Sequence, residues 1–255
     1  ESNTTGVYNT AVGTYALIAN TTSNNNTAIG YEALNDNSDG SENTAIGAWA
    51  LDKNTTGDNN TTIGYNSLSA NTEGDNNTAV GMNALAVSTT ANNNVAIGKG
   101  ALDHCTTGSS NVAIGALALD SNTNGPDNTA VGYQALRLST TGAQNTAVGE
   151  ASMEDTTGSF NTAIGYHSMY NNTSGNHNTA LGRTALGGAN TGSYNTAVGD
   201  CLGSNTSGSY NVAVGWEALD DNTTGIDNVA IGGKTLDANQ TGSGNTAIGR
   251  SALLV

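Results

Sequence analysis

Apolar residues return along the chain at fixed places within a short period. A string of Asn, Thr or Val, a small residue, an aliphatic residue and Gly occurs fifteen times. Twelve of the fourteen intervals between the opening Asn residues are 17 residues long and two are 16. Positions in each repeat are numbered from slot 1, the opening Asn, to slot 17, and the repeat that begins at Asn128 reads NTAVGYQALRLSTTGAQ. Repetition of this kind is typical of solenoid proteins.

The spacing of the apolar slots predicts an all-β fold. A 17-residue repeat is too short for a helical hairpin, lacks the helical period, and places β-branched residues beside Gly. We therefore expect one coil of a parallel β-solenoid (β-roll) per repeat and no helix beyond a turn. The expected array is a single domain over residues 1–255, with fifteen coils that start at Asn9 and end near Val255.

Two slots are apolar and large in every repeat, and they predict the core. Slot 4 is always Ile, Val or Leu, and slot 9 is always Leu or Met. Such a core is thin for 17 ordered residues, so we expect several chains to pack side by side. The small residue of slot 3 is the predicted contact between them, and replacing Ala130 together with Ala113 and Ala147 by Lys is expected to separate them. The predicted core columns include Val12, Ile29, Ile46, Val131, Leu136, Leu219 and Ile231.

Slot 1 and slot 5 never vary. An Asn side chain carries two donors and one acceptor group, so stacked copies predict a hydrogen-bonded ladder. The invariant Gly of slot 5 predicts a corner with a positive φ or a close backbone approach. Slot 6 varies freely, which predicts exposure to solvent. The Asn ladder is expected to include Asn9, Asn26, Asn43, Asn128 and Asn228.

The two short repeats predict where a deletion is absorbed. The repeat from Asn145 loses a residue in its polar loop, and the repeat from Asn195 loses one between Gly199 and Leu202. We expect both coils to keep Val148 and Leu202 inward, because loops absorb length changes more readily than strands.

Charge narrows the possible partners. Six basic residues against 21 acidic ones give a net charge of −15, which disfavours nucleic acids and anionic lipid surfaces. The chain contains no apolar run long enough to span a membrane, which predicts no membrane insertion, and it opens with no signal segment. It covers fifteen periods and two further residues, from Glu1 in slot 10 to Val255 in slot 11. Because the sequence begins and ends at nearly the same slot, we predict either an excerpt of a longer array or head-to-tail stacking of molecules.

Few residues suggest chemistry. His104, His167 and His177 occupy three different slots, so we predict no metal site. Cys105 and Cys201 lie six coils apart, which predicts two free thiols. We predict no catalytic residues and no cofactor, since no nucleophile has a base in a matching slot and no Gly-rich loop leads into a helix with a Lys.

Acidic residues recur in slot 10 and form a broken column. Carboxylates are Ca²⁺ ligands, but the nonapeptide spacing of Ca²⁺-binding rolls is absent. We therefore interpret the column as solvated surface. Its members include Asp52, Asp103, Asp120, Asp220 and Asp237.

The motifs NTAIG and NVAIG resemble the head repeats of YadA-like trimeric autotransporter adhesins. The longer string NTAVGYQAL with its NTTG loop resembles repeats of phage tail-fibre and bacterial surface proteins. The resemblance extends from Asn9 to Leu253, although the period is 17 rather than about 14. It implies a left-handed β-roll that forms homotrimers.

These patterns predict a structural, non-catalytic rod for the outside of a cell or a virion. Its expected partners are copies of itself, as a trimer or a head-to-tail filament, together with a host receptor, a glycan or a neighbouring filament. An ice-binding solenoid that uses the Thr column of slot 2 is the alternative. Against it, the same-face neighbour of each Thr is an aliphatic residue rather than a second Thr.

Overall fold

A computed structural model describes residues 3–188 and 190–254. Glu1, Ser2, Ala189 and Val255 lie outside the described residues, so the expectation based on the phase of the two termini stays a prediction. The chain forms two compact units, Glu1–Asp127 and Asn128–Val255. The expectation of a single array also stays a prediction.

The described residues of unit 1 form seven parallel strands, and each consists of slots 2 to 4 of one repeat. Each strand pairs in parallel with the next one along the chain, slot opposite the same slot, as Thr44 pairs with Thr61. The strands are β1 (Thr10–Val12), β2 (Thr27–Ile29), β3 (Thr44–Ile46), β4 (Thr61–Ile63), β5 (Thr78–Val80), β6 (Val95–Ile97) and β7 (Val112–Ile114).

In the part of unit 2 that the structure describes, eight strands show the same arrangement, again parallel and in sequence order. The described residues of both units contain no helix, so the all-β parallel solenoid is confirmed. The strands are β8 (Thr129–Val131), β9 (Thr146–Val148), β10 (Thr162–Ile164), β11 (Thr179–Leu181), β12 (Thr196–Val198), β13 (Val212–Val214), β14 (Val229–Ile231) and β15 (Thr246–Ile248).

The strands turn the opposite face inward from the one predicted. Neighbouring side chains of a strand point to opposite sides. The small residue of slot 3 is the one that faces the interior, so the residues of slots 2 and 4 face outward. From the other wall of the coil, the Leu or Met of slot 9 fills the interior. Only a small side chain therefore fits on the strand side.

The predicted core columns need correction in one of their two slots. Leu136 and Leu219, in slot 9, are fully buried as predicted. The slot 4 residues are not core. Val12 is 57% exposed, Ile29 and Ile231 are each 38% exposed, and Ile46 and Val131 are half-buried.

The predicted contact between chains at slot 3 is also wrong. Ala113, Ala130 and Ala147 have no exposed surface, since they lie inside their own coils. A residue without accessible surface cannot contact a second chain. Any association must use another face.

The buried Leu of slot 9 follows a buried Ala of slot 8, as Leu51 follows Ala50. Two successive side chains can both point inward because the backbone turns sharply here. Leu51 has φ 54° and Trp49, in slot 7, has φ 55°, both left-handed. This conformation costs a non-Gly residue roughly 1–2 kcal/mol, so the stacked coils must stabilise it.

The Gly corner of slot 5 has the geometry that the sequence predicts. Gly47 has φ 138°, and a Cβ built there would lie 2.4 Å from the carbonyl oxygen of Gly64 in the next coil. Any side chain would push the stacked coils apart. Both the positive φ and the close approach therefore require Gly.

The two short coils keep most of their interior columns. Met153 and Leu202 are fully buried, and Cys201 takes the place of the buried Ala in slot 8. Leu202 thus lies inward as predicted. Val148 is half-buried on the outward strand face, which corrects the expectation that it points inward.

Candidate functional surface

The opening Asn residues form a buried column that ties each coil together and to its neighbour. Asn43 donates through Nδ2 to the carbonyl oxygen of Gly57 in its own coil, over 2.8 Å. Its Oδ1 accepts the backbone N–H of Asn60 in the next coil, over 2.9 Å. The predicted ladder positions Asn26, Asn43, Asn128 and Asn228 are fully buried and Asn9 is half-buried. Most of these bonds join side chain to backbone, rather than one amide to the next.

A second Asn column lies in slot 12. The sequence did not predict it, because this slot lies in the polar loop and Asn is also typical of turns. Asn54 is fully buried and donates through Nδ2 to Oδ1 of Asn37, over 2.7 Å, and to the carbonyl oxygen of Gly57, over 2.9 Å. In the short coil, Thr156 takes this place and its hydroxyl accepts from Asn172 Nδ2 over 3.3 Å. The frequent recurrence of Asn in this slot is the available signal, although Ser88, Cys105 and Ser139 also occupy it.

The outward strand face is the most regular surface of each unit. Slot 2 contributes only Thr or Val, and slot 4 contributes only Ile, Val or Leu. The face therefore carries no charged side chain, although the whole chain has a net charge of −15. Strands stack at roughly 4.8 Å, so hydroxyl and aliphatic groups repeat at that spacing along each unit.

Slot 6 is variable and faces solvent, as predicted. Tyr31, Lys99, Glu150, Arg183 and Trp216 are exposed. Tyr and Trp are concentrated in recognition surfaces because they combine a large apolar face with a polar group. Exposed aromatic rings at this corner are therefore candidates for binding.

A run of aromatic rings crosses four consecutive coils of unit 1. The ring centroids of Tyr15 and Tyr31 are 6.2 Å apart, those of Tyr31 and Trp49 are 5.8 Å apart, and those of Trp49 and Tyr65 are 5.2 Å apart. All three contacts are edge-to-face. Glu32 lies within this run and accepts a hydrogen bond from Trp49 Nε1 over 2.8 Å.

In unit 2, both histidines lie between aromatic rings. His177 stacks on Phe160 and Tyr194, with centroid distances of 4.7 and 4.8 Å. His167 stacks on Tyr166 and Tyr170, at 4.0 and 4.5 Å. These contacts give the two imidazoles a packing role.

Both cysteines are buried free thiols, as predicted. Burial raises the pKa of Cys105 to about 11, and the pKa of Cys201 to about 12. Cys105 Sγ donates to the carbonyl oxygen of Gly108 over 3.2 Å. A thiol with so high a pKa is a poor nucleophile at neutral pH.

The acidic column of slot 10 is less solvated than expected. Burial raises the pKa of Asp52, Asp103, Asp220 and Asp237 above the usual range of a carboxyl group. Within unit 1, atoms of Asp103, His104 and Asp120 that could bind a metal all lie within 4.8 Å of one another. The sequence did not predict this group, because the slots of the three histidines were compared only with one another and not with those of the acidic residues. His104 is exposed, and its Nδ1 lies 3.1 Å from the backbone oxygen of Asp120.

Comparison with models of known protein families gives no match for the chain, and comparison with curated proteins gives none at significant similarity. Within the described residues, no helix is both long and apolar enough to cross a membrane.

Proposed function

We propose that this chain is a structural, non-catalytic component of an extracellular fibre or adhesin head, on a cell surface or a virion. Its outward strand face would pack against the same face of other copies. The observation that carries the proposal is the uncharged column of aliphatic side chains in slot 4 of each unit.

An exposed column of aliphatic side chains indicates a surface that binds a partner. Val12, Ile63 and Ile164 are 57, 41 and 40% exposed, although each is the last residue of a β-strand. Large exposed apolar patches on soluble proteins usually mark interaction sites. A copy of the same face offers the same spacing of groups and, like it, no charge, so two faces can pack in register.

The number of chains and the hand of the coil rest on resemblance. Similarity to trimeric adhesin heads favours three chains and a left-handed coil, and a head-to-tail filament is the second arrangement. In either case the variable residues of slot 6 stay accessible, where a receptor, a glycan or a neighbouring filament would bind.

The test is to place charges on the outward face and, as a control, at the corner of the same coils. Val80→Glu with Ile114→Glu adds two carboxylates in slot 4. Met82→Glu with Ala116→Glu adds the same two charges in slot 6, where Glu150 shows that Glu is accepted. Sedimentation velocity should give a multichain species for the unmodified chain and the slot 6 variant, and a single folded chain for the slot 4 variant. A monomeric unmodified chain would refute the proposal.

Ice binding remains the second candidate, because the Thr column is directed outward. Thr44 and Thr61 lie opposite each other in adjacent strands, and each is half-buried beside an aliphatic neighbour. A rigid surface with hydroxyl and methyl groups at fixed spacing can order water. Thermal hysteresis measured by nanolitre osmometry distinguishes the two candidates. Hysteresis that is lost in Thr44→Lys, from a chain that is monomeric, would favour ice binding.

A further inference from the structure

A lysine of unit 2 is held by an aromatic ring and a carboxylate from neighbouring coils. Lys234 Nζ lies 4.8 Å from the ring centroid of Trp216 and 2.6 Å from Oε2 of Glu217. Trp216 occupies slot 6 and Glu217 slot 7 of one coil, while Lys234 occupies slot 7 of the next. Cation–π and ionic contacts thus act on the same ammonium group.

Unit 1 has an aromatic ring and a carboxylate in the same two slots, but slot 7 of its next coil does not hold a lysine. Tyr31 occupies slot 6 and Glu32 slot 7, as Trp216 and Glu217 do. In the next coil, slot 7 holds Trp49, whose Nε1 donates to Glu32 Oε2 over 2.8 Å. Trp49 therefore occupies the slot in which the site of unit 2 has its cation, Lys234.

The charge around this site is strongly negative and poorly compensated. Between residues 9 and 76 the chain has eight acidic side chains and one basic side chain, Lys53. Lys53 already pairs with Asp36 over 3.1 Å and with Asp52 over 3.7 Å. Among the described residues, Glu32 takes part in hydrogen bonds but in no ion pair within 4.0 Å.

We propose that Tyr31, Glu32 and Trp49 form a recognition site for a Lys or Arg side chain of a basic partner protein. Tyr15 and Tyr65 extend the aromatic surface on either side, so that an extended basic segment can run across several coils. A cation is favoured over a neutral sugar because the carboxylate has no cation of its own and the surrounding coils are acidic. This site is separate from the outward strand face and does not depend on self-association.

The first experiment uses the full chain and a fluorescein-labelled hexalysine peptide, with binding followed by fluorescence anisotropy. Glu32→Gln and Trp49→Asn should each weaken binding about fivefold or more. Asn is compatible with the left-handed backbone of slot 7, as Asn66 with φ 56° shows. The matched control is Glu42→Gln, which removes the same charge from an exposed residue in slot 17 and should change binding less than about twofold.

A second measurement localises the contact. In a Trp216→Phe background, Trp49 is the only tryptophan, so its emission should change when the peptide binds. In the original background, Lys234→Ala should free the site at Trp216 and Glu217 and add a second binding event. Both results would support a site built from a ring and a carboxylate.

Four results would overturn the proposal. The first is equal weakening of binding by Glu32→Gln and Glu42→Gln, which would indicate diffuse charge attraction. The second is binding of fully acetylated hexalysine as tight as that of the cationic peptide. The third is a change in the emission of Trp49 with cellohexaose but not with the peptide, which would identify a carbohydrate surface. The fourth is the absence of any binding by hexalysine.

Discussion

A strand in a usual globular core turns its larger apolar side chains inward. The strand of each coil instead turns its small residue inward and its larger aliphatic residue outward. In Thr44-Ala45-Ile46, the central Ala45 is fully buried and the larger Ile46 is only half-buried. The interior combines small methyl groups and one Leu or Met per coil with buried amides, while the outward face carries the bulky aliphatic groups. Burial of apolar surface alone therefore accounts for less of the stability than in a typical domain.

Hydrogen-bonded amides compensate for the small apolar interior. Asn43 and Asn54 both donate to the carbonyl oxygen of Gly57, so two columns converge on one loop atom of the coil. A satisfied buried hydrogen bond contributes about 1 kcal/mol, and an unsatisfied buried group costs about 1–3 kcal/mol. The interior should therefore tolerate substitution far less than the outward face does.

The largest expected difference comes from placing the same charge on the two faces at neighbouring positions. Ala130→Lys puts an ammonium group inside the coil, and Val131→Lys puts it on the half-exposed outward face. We expect Ala130→Lys to lower the free energy of unfolding by more than about 4 kcal/mol, and Val131→Lys by less than about 1 kcal/mol. Chemical denaturation followed by circular dichroism measures both. The opposite ranking would mean that slot 4, and not slot 3, faces the core.

A smaller difference is expected when a buried amide and an outward hydroxyl are removed in turn. Asn43→Ala leaves the Gly57 carbonyl with one donor fewer and the Asn60 N–H without its acceptor. This should lower the free energy of unfolding by about 3 kcal/mol. Thr44→Ala, the matched control on the outward face, should cost less than about 1 kcal/mol.

Hydrogen exchange adds a local measurement to this pair. The amide of Asn60 should exchange faster in Asn43→Ala than in Thr44→Ala, because only the first variant removes its acceptor. Equal effects of the two variants on stability and on exchange would show that the Asn column does not stabilise the coil.

The sequence predicted the period, the strand positions and the Gly corner, because each depends on a slot that hardly varies. It did not predict which face of the strand turns inward. Three residues such as Thr129-Ala130-Val131 contain only one alternation, and hydrophobicity alone favours placing Val131 inside. The space that Leu136 leaves across the coil determines which strand residue can face inward, and that space cannot be predicted from the sequence.

The candidate surfaces were predictable to different degrees. The exposure of slot 6 followed from its variability. The pairing of Glu32 with Trp49 could not be predicted, because it joins slot 7 of two successive coils and no other repeat combines these residue types there. The buried slot 12 column was hidden because Asn54 and its counterparts have the composition of a turn.

The smallest expected effect per side chain comes from the exclusion of water from the interior, which raises the pKa values of the two cysteines. Burial raises the pKa of Cys105 from 9.0 to about 11 and that of Cys201 from 9.0 to about 12. The folded state thus holds the thiol proton more tightly than the unfolded state does. The resulting stability is complete below pH 9 and is lost as the pH rises toward 11 and 12.

Between pH 8 and pH 10.5, the unmodified chain should therefore lose about 2 kcal/mol more stability for each buried thiol than a chain without it. The control chain carries Cys105→Ser and Cys201→Ala. Both substitutions introduce residue types that occur in the same slots of other repeats, as Ser88 and Ala218 do. Urea denaturation at several pH values measures the difference, and the tyrosines common to both chains cancel in the comparison. A thiol reagent should also leave both cysteines of the folded chain unmodified at pH 8. Parallel pH profiles for the two chains, or rapid modification at pH 8, would show that water reaches the interior and that the contrast between the two faces is smaller than we infer.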